Sequence, residues 1–460
     1  MRWAFSSAFS WSNLRCLALA VCLPAGAWAA KPQAIACPKH VPTDARCFAA
    51  VSQAGAHLMA ILPAGWQPAQ GVAVMHAHGG PGLGKASIKR VEEDATRWAV
   101  VPSTGYAWTG TSYRRGGYGV SMAAQDMEDL RAWFVAQFGQ PRRMLLHGQS
   151  YGGGVASIAA ERFGSQPVDK QGRPAFDGVL LTSAVLGGGV DAYTMRLDLR
   201  AVYQFYCSNH PLPSEPQYPL WQGLPADSSL SRAELERRVN DCTGVDLPAG
   251  ERSQEQSLRL KAIQTAIPVT QRSLTSHLVW GTFLFRDLTQ KRLGNRNPFD
   301  NSRTHYRGLS AESESRLNAG VQRYSADPQA VGQLLADSRP TGRTRLPTLT
   351  LRGIHDQTAF VELAHSYQQI REAAGTADQL VQVYTDERGH SYLSDPEYRA
   401  ALAALLDWLD QGTKPTPTSV AERCEQAQAL PEVAPDSNRA CHIRPGYQPQ
   451  PLAARMPGPS

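Results

Sequence analysis

Gly148-Gln-Ser-Tyr-Gly152 constrains this chain more than any other stretch of its sequence. A G-x-S-x-G run puts a serine on a tight strand-to-helix turn, where bulky flanking side chains would strike the strand and helix on either side. The pentad alone is unspecific, because a chain with 39 glycines can produce it by chance. Its surroundings supply the missing context. Met144-Leu-Leu-His147 ahead of it reads as a short apolar strand, and Tyr151-Gly-Gly-Gly-Val-Ala156 opens a helix with small first-turn residues that runs to Phe163. Ser150 is therefore the candidate nucleophile.

The same alternation of strand and helix continues on both sides. Gly71–His78, Gly178–Thr182, Pro347–Arg352 and Leu380–Tyr384 read as strands. Met127, Leu130, Phe134 and Phe138 fall at helical spacing, ahead of stop signals at Gly139 and Pro141. Phe360 to Ala374 reads as a helix closed by Gly375, and Asp395-Pro396 reads as a cap followed by a first-turn proline. Strand followed by helix, repeated, implies a mostly parallel sheet covered by helices. Residues 196–340 break the pattern: they are rich in aromatic residues and arginine and have few strand runs. This divides the chain into a first core segment at 30–195, a helical lid insertion at 196–340, a second core segment at 341–412 and a Pro-rich tail at 413–460. The tail is expected to be irregular and tied by a disulfide.

Residues 1–29 have the layout of a secretory signal peptide. Arg2 and Arg15 supply charge, Cys16–Leu23 an apolar core, and Ala27-Trp-Ala29 a cleavage site. A lipoprotein would need a small residue before Cys22, where Val21 stands. Six cysteines lie beyond the leader: Cys37, Cys47, Cys207, Cys242, Cys424 and Cys441. An even number in an exported chain points to disulfides, and sequence locality favours 37–47, 207–242 and 424–441. Neither a Cys-x-x-Cys nor a clustered His pair accompanies them, so no metal is expected. The formal net charge of +6 comes without a long Lys/Arg run, so no nucleic-acid partner is expected either. No later segment is apolar for long enough to insert stably in a membrane. The expected location is secreted, periplasmic or extracellular. The oligomeric state is left open.

The partners that a nucleophilic serine needs are present in order. His78-Gly79-Gly80-Pro81-Gly82 follows a strand upstream and can offer a backbone N–H to an oxyanion; Gly80 is the first choice and Gly79 the second. The second donor is the N–H of Tyr151, the residue after the serine. Asp356 follows the strand that ends near Arg352, and His390 follows the last strand. Asp386 and Glu387 are rival acids in the histidine loop, and His355 reads as structural. The order Ser150, Asp356, His390 suits acyl transfer by a Ser-His-Asp triad without a cofactor.

The pairing of His78-Gly-Gly-Pro-Gly82 with Gly148-Gln-Ser-Tyr-Gly152 resembles the α/β-hydrolase branch that includes prolyl iminopeptidases and secreted tripeptidyl aminopeptidases. The resemblance covers about 50–195 and 345–410, and it implies the α/β-hydrolase fold. Where that branch has Asp-Gln-Arg-Gly-x-Gly-x-Ser, this chain has Tyr113-Arg-Arg-Gly-Gly-Tyr-Gly-Val-Ser121. The aspartate is absent and one residue is extra. Hydrolysis of a small carboxylic ester is the first expectation, since it needs only triad and oxyanion hole. A serine exopeptidase acting on short peptides is the alternative. It would need acids such as Glu215, Glu234, Glu236 and Asp241 to converge on a free amine, whereas they read as a solvated helix face. A non-catalytic binding module on the same fold is a third reading. Aromatic residues of the insertion, Tyr203, Phe205, Tyr206, Trp221, Trp280, Phe283 and Phe285, can form its own core or line an acyl pocket.

Overall fold

The computed structural model describes residues 31–168, 172–433, 437 and 439–458. The leader expected over 1–29 lies outside them. Nine strands form one sheet: β1 (Gln33–Ile35), β2 (Arg46–Val51), β3 (His57–Leu62), β4 (Val72–Ala77), β5 (Ala107–Thr111), β6 (Arg143–Gln149), β7 (Gly178–Thr182), β8 (Thr348–Gly353) and β9 (Leu380–Thr385). Their spatial order is β1-β2-β3-β5-β4-β6-β7-β8-β9. The strands from β5 through β4 to β9 run parallel, and β1, β2 and β3 add an antiparallel edge.

Strands β4, β7 and β8 are buried at every residue, which is why they read as nearly unbroken apolar runs. Their side chains alternate between two cores. Ala73, Met75 and Ala77 of β4 face the layer that holds α3 (Val120–Phe138) and α4 (Tyr151–Phe163). Val72 and Val74 face the layer of α1 (Ile88–Arg97), the short α2 (Val100–Ser103) and α12 (Asp395–Gln411). Helices on both faces of a mostly parallel sheet with this strand order constitute the α/β-hydrolase fold.

Between β7 and β8 the chain is helical: α5 (Gly188–Cys207), α6 (Arg232–Thr243), α7 (Gln254–Ala266), α8 (Gln271–Val279), α9 (Ala311–Gly320) and α10 (Pro328–Ser338). Helix α5 begins before residue 196, so the change from sheet to insertion falls earlier than composition suggested. The insertion's apolar residues, among them Leu197, Val202, Ile263 and Leu278, belong to the same cluster as α3 and α4. It is also latched through polar groups. The Asp337 carboxylate accepts from Val120 and Ser121 N–H at the start of α3 (2.9 and 3.1 Å), and Asp287 accepts from Tyr118 N–H (3.1 Å).

Two local expectations need correction. Ser394, and not Asp395, caps α12: its hydroxyl accepts from Glu397 N–H, while the Asp395 carboxylate takes the Tyr392 hydroxyl at 2.6 Å. The tail is not irregular throughout. After α11 (Leu363–Ala373) and α12 it forms α13 (Pro417–Ala427), because Thr416 makes a capping box with Ser419 and Pro417 sits where a helix needs no N–H. Disulfides join Cys37–Cys47, Cys207–Cys242 and Cys424–Cys441, with Cα separations of 5.2, 5.7 and 5.8 Å. Among the described residues no helix is long and apolar enough to cross a membrane.

Candidate active site

Ser150 stands between β6 and α4 with φ 56° and ψ −122°, a region that side-chain-bearing residues rarely occupy. The turn is locked from both sides. Ser150 N–H donates to Thr182 O of β7 (3.0 Å), and Ser150 O accepts from Gly153 and Val185 N–H. The glycines of the pentad are sterically required. A Cβ on Gly152 would lie 1.9 Å from Ala77 O, and one on Gly148 would lie 2.3 Å from Gly152 O.

The structure brings the three predicted residues together at the C-terminal ends of their strands. His390 Nε2 lies 2.8 Å from Ser150 Oγ, and His390 Nδ1 lies 2.7 Å from Asp356 Oδ2. Asp356 is buried, and its other oxygen accepts from Thr358 N–H (2.7 Å) and Ala359 N–H (3.1 Å). Those bonds leave Oδ2 aimed at the imidazole. The rival acids are engaged elsewhere: Asp386 pairs with Arg444 and with His355 Nε2 (3.5 Å), and Glu387 with His442 Nε2 (3.6 Å).

Gly80 has φ +73°, and Gly79 and Gly80 line the same cavity as Ser150 and Tyr151. Among the described residues nothing accepts the N–H of Gly80 or of Tyr151. The loop that carries Gly80 is held by groups that sequence reasoning missed. Arg90 Nη2 donates to Gly79 O (2.8 Å), Arg90 Nε to His78 Nδ1 (3.1 Å), and the Tyr113 hydroxyl to His78 O (3.1 Å). Burial, then Arg90, pushes His78 well below the usual imidazole range, so Nδ1 is free to accept. Gln149 and Arg352 were missed as well. Gln149 Nε2 donates to His390 O (2.9 Å), and buried Arg352 ties the carbonyls of Ala359 and Phe360 behind the acid loop. Only three-dimensional placement marks these residues; no motif spacing does.

The cavity over Ser150 measures about 360 Å³, and the segment between β7 and β8 lines it with Val185, Tyr193, Arg196 and Trp280. Of the seven insertion aromatics singled out above, Trp280 lines it; Tyr203 and Phe285 are buried in the insertion's core. Glu215, Glu234, Glu236 and Asp241 do not line it and instead pair with arginines, Glu215 with Arg238 at 2.6 Å for example. The acids that do reach the cavity, Glu93 and Asp94, come from α1. Burial pushes Asp94 up to about 7. Ser150, His390, Gly80 and Tyr151 line one cavity, with Asp356 buried behind the imidazole, and a hydroxyl, imidazole, carboxylate and two N–H groups so arranged can carry out acyl transfer.

No family model matches the chain, and no curated protein matches it. Solved structures do show a likeness. An esterase from Aspergillus oryzae is 12% identical, over 85% of this chain and 86% of that one, with a TM-score of 0.42. Candida antarctica lipase A, solved in its closed state, is 10% identical, over 88% and 91%, with a TM-score of 0.43. The rice cell wall degrading esterase LipA from Xanthomonas oryzae is 14% identical, over 80% and 89%, with a TM-score of 0.37.

Proposed function

We propose that this chain is a serine hydrolase that cleaves carboxylic esters through an acyl-enzyme. The observation that carries the reading is the hydrogen-bonded chain Ser150–His390–Asp356, built on a turn strained at the serine. His390 Nε2 takes the Ser150 proton as Oγ attacks the carbonyl carbon. Asp356 holds the Nδ1 proton and stabilises the imidazolium. The N–H groups of Gly80 and Tyr151 receive the oxyanion, a contribution of about 3 kcal/mol for each such donor. His390 then passes the proton to the leaving alcohol, and water attacks the acyl-enzyme by the same route. The insertion acts as the lid that shapes the acyl site. The three disulfides support residence in an oxidising compartment.

An exopeptidase would need a carboxylate to bind an α-amine; the insertion acids considered for that role are all paired with arginines, and Glu93, which does reach the cavity, shares its lining with Arg90 and Arg97. Two measurements test the reading. The purified protein should turn over p-nitrophenyl esters faster than aminoacyl or tripeptidyl arylamides; the reverse order would replace ester with peptide cleavage. Ser150→Ala should lower kcat by about 10⁴-fold or more and abolish fluorophosphonate labelling. Continued labelling of that variant would remove Ser150 from the nucleophile's role.

A further inference from the structure

Arg196 is a charged group in this cavity that ester cleavage leaves without a task. It projects from α5, is 3% exposed and lines the space above Ser150. Among the described residues its one hydrogen bond is Nη1 to Ala192 O (2.8 Å), a turn back on its own helix. Nε is buried without a partner, and no carboxylate pairs with the guanidinium among the described residues. Aromatic faces hold it instead: Cζ lies 4.6 Å from the Trp280 ring centre and 5.1 Å from that of Tyr193. Those two rings pack on each other at 4.1 Å.

Buried Arg200 and Arg352 likewise leave Nε without a partner, but they differ from Arg196 in tying carbonyls of other segments. Arg200, one turn further along α5, donates Nη1 to the carbonyls of Leu220, Gly223 and Gly281. Arg352 ties two carbonyls. A buried cation without a counter-charge is costly, and that cost is relieved by an anion that arrives with the ligand. The cavity's own acids do not fill the role. Glu93 and Asp94 sit on α1 beside Arg90 and Arg97, which also line the cavity. Burial lowers the Arg196 pKa to about 10, so it keeps its charge at neutral pH.

We propose that Arg196 is the specificity residue of this site and binds a carboxylate carried by the ester, so that the preferred substrates are anionic esters. The inference rests on the reading of Ser150 as nucleophile. The guanidinium offers a planar fork of N–H donors suited to a carboxylate, and the rings fix its position before substrate arrives. A low-dielectric lining strengthens the pairing. The carboxylate can belong to the acyl group or to the leaving alcohol, and both sources present the same chemistry to Arg196.

Two matched pairs of esters separate the sources. On the acyl side, the p-nitrophenyl monoester of glutaric acid is compared with p-nitrophenyl 5-methylhexanoate, after subtraction of spontaneous hydrolysis. On the alcohol side, 4-carboxyphenyl butanoate is compared with 4-carbamoylphenyl butanoate. In at least one pair the wild-type enzyme should prefer the charged ester by about 100-fold in kcat/KM, mostly through KM, as expected for a desolvated charged hydrogen bond. Arg196→Met should erase that preference, with a far larger loss of kcat/KM on the charged ester than on the neutral one, and Arg196→Lys should retain part of it. A wild-type enzyme without the preference overturns the proposal with no variant needed; where the preference is present, Arg196→Met and Arg196→Lys assign it to Arg196 rather than to Arg90 or Arg97, which line the same cavity. No preference for either charged ester, or an equal loss on both members of a pair, would overturn the proposal. Absence of turnover on all four esters together with absence of fluorophosphonate labelling would instead overturn the triad reading beneath it.

Discussion

Gln149 occupies a variable position of the pentad, yet its side chain spans two of the site's loops. Its Oε1 would sit 2.2 Å from a Cβ on Gly79, and its Nε2 holds the His390 carbonyl. It therefore sets the spacing between the oxyanion loop and the histidine loop. Gln149→Ala should lower kcat by about 10- to 100-fold with little change in KM, because small misplacements of catalytic groups have costs of that size. An unchanged kcat would show that the backbone alone places His390. At this scale the sequence was legible where sterics dictate a residue type. Gly148 and Gly152 are demanded by atoms 2.3 and 1.9 Å away. Gln149, Arg90 and Arg196 were not legible, because their contacts are hydrogen bonds or ring contacts to other segments of the chain.

Helices and strands of the core were readable because each carries its own period and stop signals. Phe134 and Leu130 on α3 mark a buried face whatever surrounds them. The tail was not readable in this way. Its contribution lies in pairing with β9: Asp386 N–H donates to His442 O (2.9 Å), Arg444 N–H to Tyr384 O (2.7 Å), and Ile443 bridges Thr385. These contacts brace the first residues of the loop that ends at His390. The Cys424–Cys441 disulfide ties that brace to α13, across a separation of 17 residues. Replacing both cysteines with serine should cost about 3 kcal/mol of stability, the size expected for a loop of this length. The rate of fluorophosphonate labelling at Ser150 should fall as well, because the histidine loop loses its support. A lower melting temperature with an unchanged labelling rate would make the tail a stabiliser only.

Across the whole molecule, two sets of buried groups pull stability in opposite directions with pH. Burial pushes His76, His78 and His210 well below the usual imidazole range, and His147 and His277 down to about 3. These five are neutral when folded but bind protons when unfolded below about pH 6.5, so they destabilise the fold in acid and cease to do so as pH rises through that value. Burial also pushes Asp94 and Asp198 up to about 7 and Glu397 up to about 8. Those carboxyls keep their protons when folded and lose them when unfolded above about pH 4. Their contribution is full below that pH and is lost as pH rises through 7 and 8. Near pH 6.5 the two slopes cancel; above it the histidine effect fades while the carboxyl effect persists. Stability should therefore peak near pH 6.5 and fall by about 1 kcal/mol per pH unit between 7 and 8, measured as the urea midpoint against pH. Glu397, whose Oε1 accepts from the Thr385 hydroxyl at 2.5 Å, has the highest of the three pKa values and so dominates at the alkaline end. Glu397→Gln should flatten the fall above pH 7 and steepen the rise between about pH 4.5 and 6.5, since the unfolded chain already ionises this carboxyl there. An equally steep alkaline fall in that variant would assign the loss to groups other than this buried carboxyl.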